Sequence, residues 1–151
     1  MGAWHPWRAL RSRPHITLQF EQTPAGADGM IIDEGHGRRL LVLASWLTRR
    51  ERSHTLTHEL VHDERGLLPV GAPAALIAKE EHAVEGETVR RLVPLDELAM
   101  LVERNDGSPV MSWELAEHFD VPESVIRRAM RELELRQARQ RHPSGRRCNP
   151  D

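Results

Sequence analysis

The stretch "TRRERSHTLTHELVHDERG", residues 48 to 66, constrains the chain more than any other, because both ends of a helix are written into it. Thr48 and Glu51 have the T-x-x-E spacing of a capping box, in which each side chain satisfies a backbone N–H at the helix start. Gly66 stands where a helix closes in a left-handed conformation that residues with a Cβ avoid. The spacing therefore predicts a helix from about Thr48 to Arg65. Arg49, Arg50, Glu51 and Arg52 are confined to its first turn. Uncharged Thr57, Leu60 and Val61 surround His58, which places that histidine on the half-buried part of the helix.

On such a helix His58 and His62, four residues apart, lie one above the other and can direct imidazole nitrogens to one point. Zinc at that point takes nitrogen ligands at about 2.0 to 2.1 Å. Glu59 lies about 100° around the helix, near enough to reach a water on the metal without binding the metal. This is the H-E-x-x-H arrangement, with the glutamate as general base. A shuffled chain of this composition shows the pattern roughly one time in twenty, so the pattern needs support from the residues around it. The alternative is a pair of histidines hydrogen-bonded in a core or facing water.

Two histidines are one ligand short of the three that a catalytic zinc site usually has. Cys148 is the single cysteine and sits in a polar tail, so the third ligand must be a carboxylate or another histidine. Candidates cluster in "AKEEHAVEGE" (78 to 87), within a second helix expected over about Pro73 to Val93. At 100° per residue Ile77, Val84, Thr88 and Leu92 form one stripe, and Glu81 falls in its middle. Glu80 is about 100° away, at the edge of the stripe. A carboxylate on an apolar stripe is costly unless it is paired or bound to metal, which favours Glu81 over Glu80 and His82. The competing reading pairs Glu81 with an arginine. Glu85, one turn on, is placed to hold a histidine's free ring N–H, or else is plain surface charge.

The rest of the chain punctuates clearly. "HITLQFE" (15 to 21) alternates Ile16, Leu18 and Phe20 with polar residues, the period of a half-buried strand. "MIID" and "RRLLVLA" flank "EGHG" (34 to 37), whose glycines fit a hairpin connection. After Pro94 come three helical segments, "LDELAMLVER", "SWELAEHF" and "PESVIRRAMRELEL", with Ser112 as a cap for the second. The expected fold is α+β: a small antiparallel sheet packed on a pair of metal-binding helices, with a C-terminal helical subdomain. Residues 1–94 form the core and 95–135 a helix-turn-helix-like part of the same domain. Residues 136–151 are expected to be a disordered basic tail. Trp4 and Trp7 are expected to cover the core.

With "THELVHDERG" and "KEEHAVEGETVRRLVPLDEL" in hand, the chain resembles the ImmA/IrrE-type metallopeptidases, zincins whose third zinc ligand is a glutamate. The resemblance spans about residues 14 to 135. It matches His58 and His62 to the zinc histidines, Glu59 to the catalytic glutamate and Glu81 to the third ligand. It departs at Ala83, where many members carry a second glutamate, and at Glu85, where they carry Asn or Asp. The resemblance implies a zinc-dependent endopeptidase holding one Zn2+ per chain, with Mn2+ as the other candidate metal. Its substrate would be a protein supplied by another chain, such as a transcriptional repressor of a mobile element or stress response. Peptide would add to an edge of the sheet, with "RRLLVLA" or its hairpin partner as the edge. The chain contains no tyrosine to stabilise an oxyanion, which leaves His36, His54, Arg90, Arg91 or a backbone N–H as candidates.

Charge and hydropathy narrow the alternatives. The net charge is −2, with 39% hydrophobic residues. No apolar run approaches the roughly 20 residues of a membrane span, and the N-terminus lacks a secretory signal's apolar stretch, so a cytoplasmic protein without membrane contact is expected. The alternative function is a DNA-binding or partner-binding regulator with a non-catalytic metal site, because the last helical pair presents Arg127, Arg128 and Arg131. Five arginines from Arg136 onward against one acid, Asp151, leave the rest of the chain at a net charge of −6. That balance argues against direct nucleic-acid binding.

Overall fold

Strand β1 (Ile16–Glu21) opens a three-stranded sheet completed by β2 (Gly29–Gly35) and β3 (Arg38–Ala44), in the order β1-β3-β2. The computed structural model describes residues 3–24, 26–105 and 107–142. β2 and β3 form the expected antiparallel hairpin, with Met30 opposite Val42 and Ile32 opposite Leu40. Its turn is His36–Gly37, both with positive φ, 53° and 74°. Positive φ at both central residues is what a tight two-residue hairpin requires to follow the strand twist.

The sheet is mixed, where the sequence pattern suggested an antiparallel one: β1 runs parallel to β3, Ile16 opposite Arg39 and Glu21 opposite Ala44. Two chain reversals, between β1 and β2 and at the hairpin, return β3 to the direction of β1. β3 then takes the central place because "LLVLA" is apolar without alternation, as a strand covered on both faces must be. Leu41, Leu43 and Ala44 are fully buried, and Val42 nearly so. Phe20, expected inward, is half exposed and lies under the Arg52 guanidinium, 5.2 Å from its ring centre.

The helices are α1 (Pro6–Arg11), α2 (Arg49–Arg65), α3 (Ala74–Leu92), α4 (Leu95–Glu103), α5 (Ser112–Phe119) and α6 (Glu123–Arg141). α2 has the expected capping box: Thr48 N–H donates to Glu51 Oε2 at 2.7 Å and Glu51 N–H to Thr48 Oγ1 at 3.3 Å. At its other end Gly66 has φ 87° and ψ 136°, a positive-φ conformation that is extended rather than left-handed helical. Met111, not Ser112, is the cap of α5; its N–H donates to Glu114 Oε2 at 2.9 Å. α6 continues to Arg141, so the first part of the stretch expected to be disordered, Arg136 to Arg141, is helical. The remainder of that expectation, residues 143–151, lies outside the described residues. Among the described residues no helix is long and apolar enough to cross a membrane.

Two apolar clusters hold these elements. Leu56 and Leu60 of α2 pack with Ile16, Leu41 and Leu43 of the sheet, and Trp4, Trp7 and Leu10 cover that cluster as expected of the tryptophans. Trp4 Nε1–H donates to Thr57 Oγ1 at 3.2 Å, which seats the N-terminal segment on α2. Val89 and Val93 close a second cluster with Leu98, Leu115, Val125, Ile126 and Leu133, so α3 belongs to both halves of the fold. The start of β2 comes so close to α2 that a Cβ on Gly29 would lie 2.6 Å from Thr55 Cγ2 and 3.0 Å from the Val42 carbonyl oxygen. Gly29→Ala should therefore destabilise the fold by roughly 1–3 kcal/mol, the usual penalty for overpacking, read as a lower midpoint in denaturant unfolding.

Candidate metal centre

His58 and His62 stand one turn apart on the face of α2 that meets α3, with ring centres 4.9 Å apart. Their Nε2 atoms reach the two oxygens of one carboxylate: His58 Nε2 is 3.3 Å from Glu81 Oε2 and His62 Nε2 is 3.1 Å from Glu81 Oε1. One donor atom from each of His58, His62 and Glu81 lies within 4.8 Å of the others. The group is thus able to hold a metal ion. Two imidazole nitrogens and a carboxylate oxygen are the donor set of a three-ligand zinc site with one position open.

Glu81 is exposed for half of its side chain, and Ile77, one turn before it, is also exposed. The helical stripe that pointed to Glu81 is buried only from Val84 onward, so Glu81 sits where the stripe leaves the core. Glu81 thus meets both histidines by its helical phase, and without the burial cost that an apolar stripe would impose. The arginine pairing considered for Glu81 belongs instead to Glu80, whose carboxylate is held by Arg65 through Nε at 2.6 Å and Nη2 at 2.9 Å. His82 turns away from α2 and lines a groove facing α6.

Glu85 meets the other ring nitrogen of His58. His58 Nδ1 lies 3.0 Å from Glu85 Oε2, His54 Nε2 3.2 Å from Oε1, and Arg128 Nη1 of α6 2.9 Å from Oε1. A carboxylate can only accept, so Glu85 holds a proton on Nδ1 of His58 and turns Nε2 toward Glu81 and His62. Burial pushes the Glu85 carboxyl up, but the hydrogen bonds from His54 and His58 and the charge of Arg128 hold it far below the usual range. For His58 burial acts downward, and Glu85, Glu59 and Glu81 together outweigh it and raise the imidazole above 6.5. His62 goes the other way: burial and the neighbouring His58 lower it despite the Glu81 charge.

Glu59 is buried, at 7% exposure. Its carboxyl is pushed up to about 7, first by burial and further by the Glu81 charge, with His58 opposing. His54 and Arg128 are the two members of this network that sequence reasoning did not assign. A signal for His54 existed, since it precedes His58 by four residues on the same face, but that histidine was weighed only as an oxyanion donor. Nothing local marks Arg128, which arrives from another helix. Two other oxyanion candidates are engaged elsewhere: Arg90 with Glu132 at 2.7 Å, and Arg91 with Glu87 at 2.9 Å and over the Trp4 ring.

Comparison of the chain with protein-family models, with curated proteins and with solved structures finds no match. The geometry makes its own prediction. Purified protein supplied with zinc should bind one divalent ion per chain, and Glu81→Ala should abolish that stoichiometry; full retention would remove Glu81 from the ligand set. Glu85→Ala should weaken zinc by about 10- to 100-fold in a chelator competition without removing a ligand. Because the metal displaces the proton of His58, apparent zinc affinity should fall as pH is lowered, beginning above 6.5.

Proposed function

We propose that the chain is a metal-dependent endopeptidase, with zinc held by His58, His62 and Glu81, and with a regulatory protein such as a transcriptional repressor, supplied by another chain, as its substrate. The observation that carries this reading is the buried Glu59 carboxyl, which is coupled by charge to His58 and Glu81 of the His/His/Glu group. A buried acid with a shifted pKa, adjoining a group able to hold a metal, is the pairing that metal-assisted hydrolysis needs and that a structural metal site does not. Zinc supplies a Lewis acid that acidifies a water and polarises a carbonyl.

Glu59 Oε takes the proton of the attacking water and returns it to the leaving amine nitrogen. Burial raises the Glu59 carboxyl above the usual carboxylate range, which makes it a stronger proton acceptor for that transfer. Its position is set by α2, where Leu60 and Val61 next to it are fully buried and prevent the turn from rotating. Glu85 fixes the His58 ring through Nδ1, and Arg128 fixes Glu85 from α6. Substrate backbone pairs with the free edge of β2. β3, the other strand considered for this, is central and has β1 and β2 on its two sides. β2 is an edge strand with unpaired backbone groups and lies directly against α2 at Gly29 and Thr55.

The DNA-binding alternative has less to draw on. Arg127 pairs with Glu123 and Arg128 with Glu85, so two of the three arginines that suggested a DNA-binding face, Arg127, Arg128 and Arg131, are already paired with carboxylates. The deciding measurement is cleavage of repressor proteins encoded beside the chain. Glu59→Gln should keep its zinc and lose about 10²- to 10⁴-fold in cleavage rate, the range for a removed general base. Equal cleavage by the variant would remove Glu59 from the mechanism. Absence of cleavage by the wild type, with salt-dependent DNA binding, would favour the alternative.

A further inference from the structure

Behind the metal centre, between α3 and α6 and bounded by the start of α4, runs an open groove of about 1130 Å³. One wall is cationic. Arg128, Arg131, Arg136 and Arg139 recur along α6 at helical spacing, and Arg90 faces them from α3, against a single acid, Glu132. The floor is apolar, formed by Ala83, Val89 and Leu95, with Leu135 exposed over 59% of its surface at the rim. Several of the cations are occupied: Arg128 by Glu85 at 2.9 Å, Arg136 by Asp96 at 2.8 Å and Arg90 by Glu132 at 2.7 Å. Among the described residues no carboxylate pairs with Arg131 or Arg139.

We propose that this groove binds an acidic peptide segment of another protein, in which carboxylates alternate with apolar side chains. From Arg128 to Gln140 the α6 wall runs roughly 18 Å, long enough for about six residues of extended peptide. Unpaired guanidinium groups recognise carboxylates with two parallel hydrogen bonds, and apolar side chains of the same segment cover Ala83, Leu95 and Leu135. A nucleic-acid backbone would match the charge and leave those apolar residues unmatched. The chain's own residues 143–151 carry Arg146 and Arg147 against Asp151, so their charge has the same sign as the groove.

Arg128 gives the groove its functional position, because the same guanidinium that lines it holds Glu85, which in turn holds His58. The groove is one side chain removed from the metal centre. Assigning the bound segment to the substrate rests on the peptidase reading; the binding itself does not.

Fluorescence anisotropy with the full chain and a labelled peptide of about ten residues alternating Glu and Leu tests the proposal. Binding should weaken by about tenfold or more in Arg131→Glu combined with Arg139→Glu, and when the peptide's Glu are replaced by Gln. Leu135→Ser should weaken it severalfold, a change at an exposed position that does not threaten the fold, and circular dichroism and zinc content should be unchanged in every variant. Equal binding by the charge-reversal variant, or by a peptide with Ser in place of Leu, overturns the proposal. So does a short DNA duplex that displaces the peptide and binds more tightly. Binding that persists in a protein showing no cleavage would sink the peptidase reading and leave the groove assignment standing.

Discussion

The half-buried carboxylate of Glu85 is the interaction on which the rest of the centre depends. It receives a donor from each of two turns of α2, His54 and His58, and a third from Arg128 of α6. Burying a carboxylate is costly unless charge and hydrogen bonds compensate, and here three donors converge on two oxygens. The consequence is directional. With Nδ1 of His58 committed to Glu85, its Nε2 can only face Glu81 and His62, so the carboxylate sets both the tautomer and the ring orientation.

The same residue ties together the two apolar clusters. The sheet and α2 form one, and α4, α5, α6 and the end of α3 form the other. α3 crosses between them, bringing Glu81 and Glu85 to α2 with its first half and Val89 and Val93 to the second cluster with its last turns. A further clamp lies at the α5–α6 turn, where Asp120, in a left-handed conformation, receives Arg49 and Arg50 from the first turn of α2. The C-terminal helices are thereby held to the first turn of α2 and to the later turns of α3, the helix pair that carries the candidate metal centre. This favours reading them as part of one domain rather than as an independent nucleic-acid module.

Several expectations were legible because they depend on local chemistry. The capping box at Thr48, the glycine stop at residue 66 and the hairpin around residues 34 to 37 each follow from contacts within a few residues. The pairing of His58 with His62 follows from helical periodicity alone, and the phase of Glu81 on α3 follows from the same rule. The direction of β1 was not legible, because alternation reports which face a strand buries and not which neighbour it joins. The extent of α6 was missed for a related reason: arginine and glutamine are good helix formers, and a charged composition by itself does not distinguish a solvated helix from a disordered end.

By itself, then, the sequence determined the helix that carries the histidines, the phase of Glu81 on the next helix and the α+β class, since each rests on spacing along one element. Tertiary structure alone decided that Glu80 is neutralised by Arg65 while Glu81 is free to face both imidazoles. It also decided that His54 and Arg128 complete the Glu85 network, and that β2 rather than β3 presents an open edge. The physical reason is the same in each case. Periodicity fixes the direction in which a side chain leaves its own helix or strand, and only the packing of separate elements fixes what it meets there.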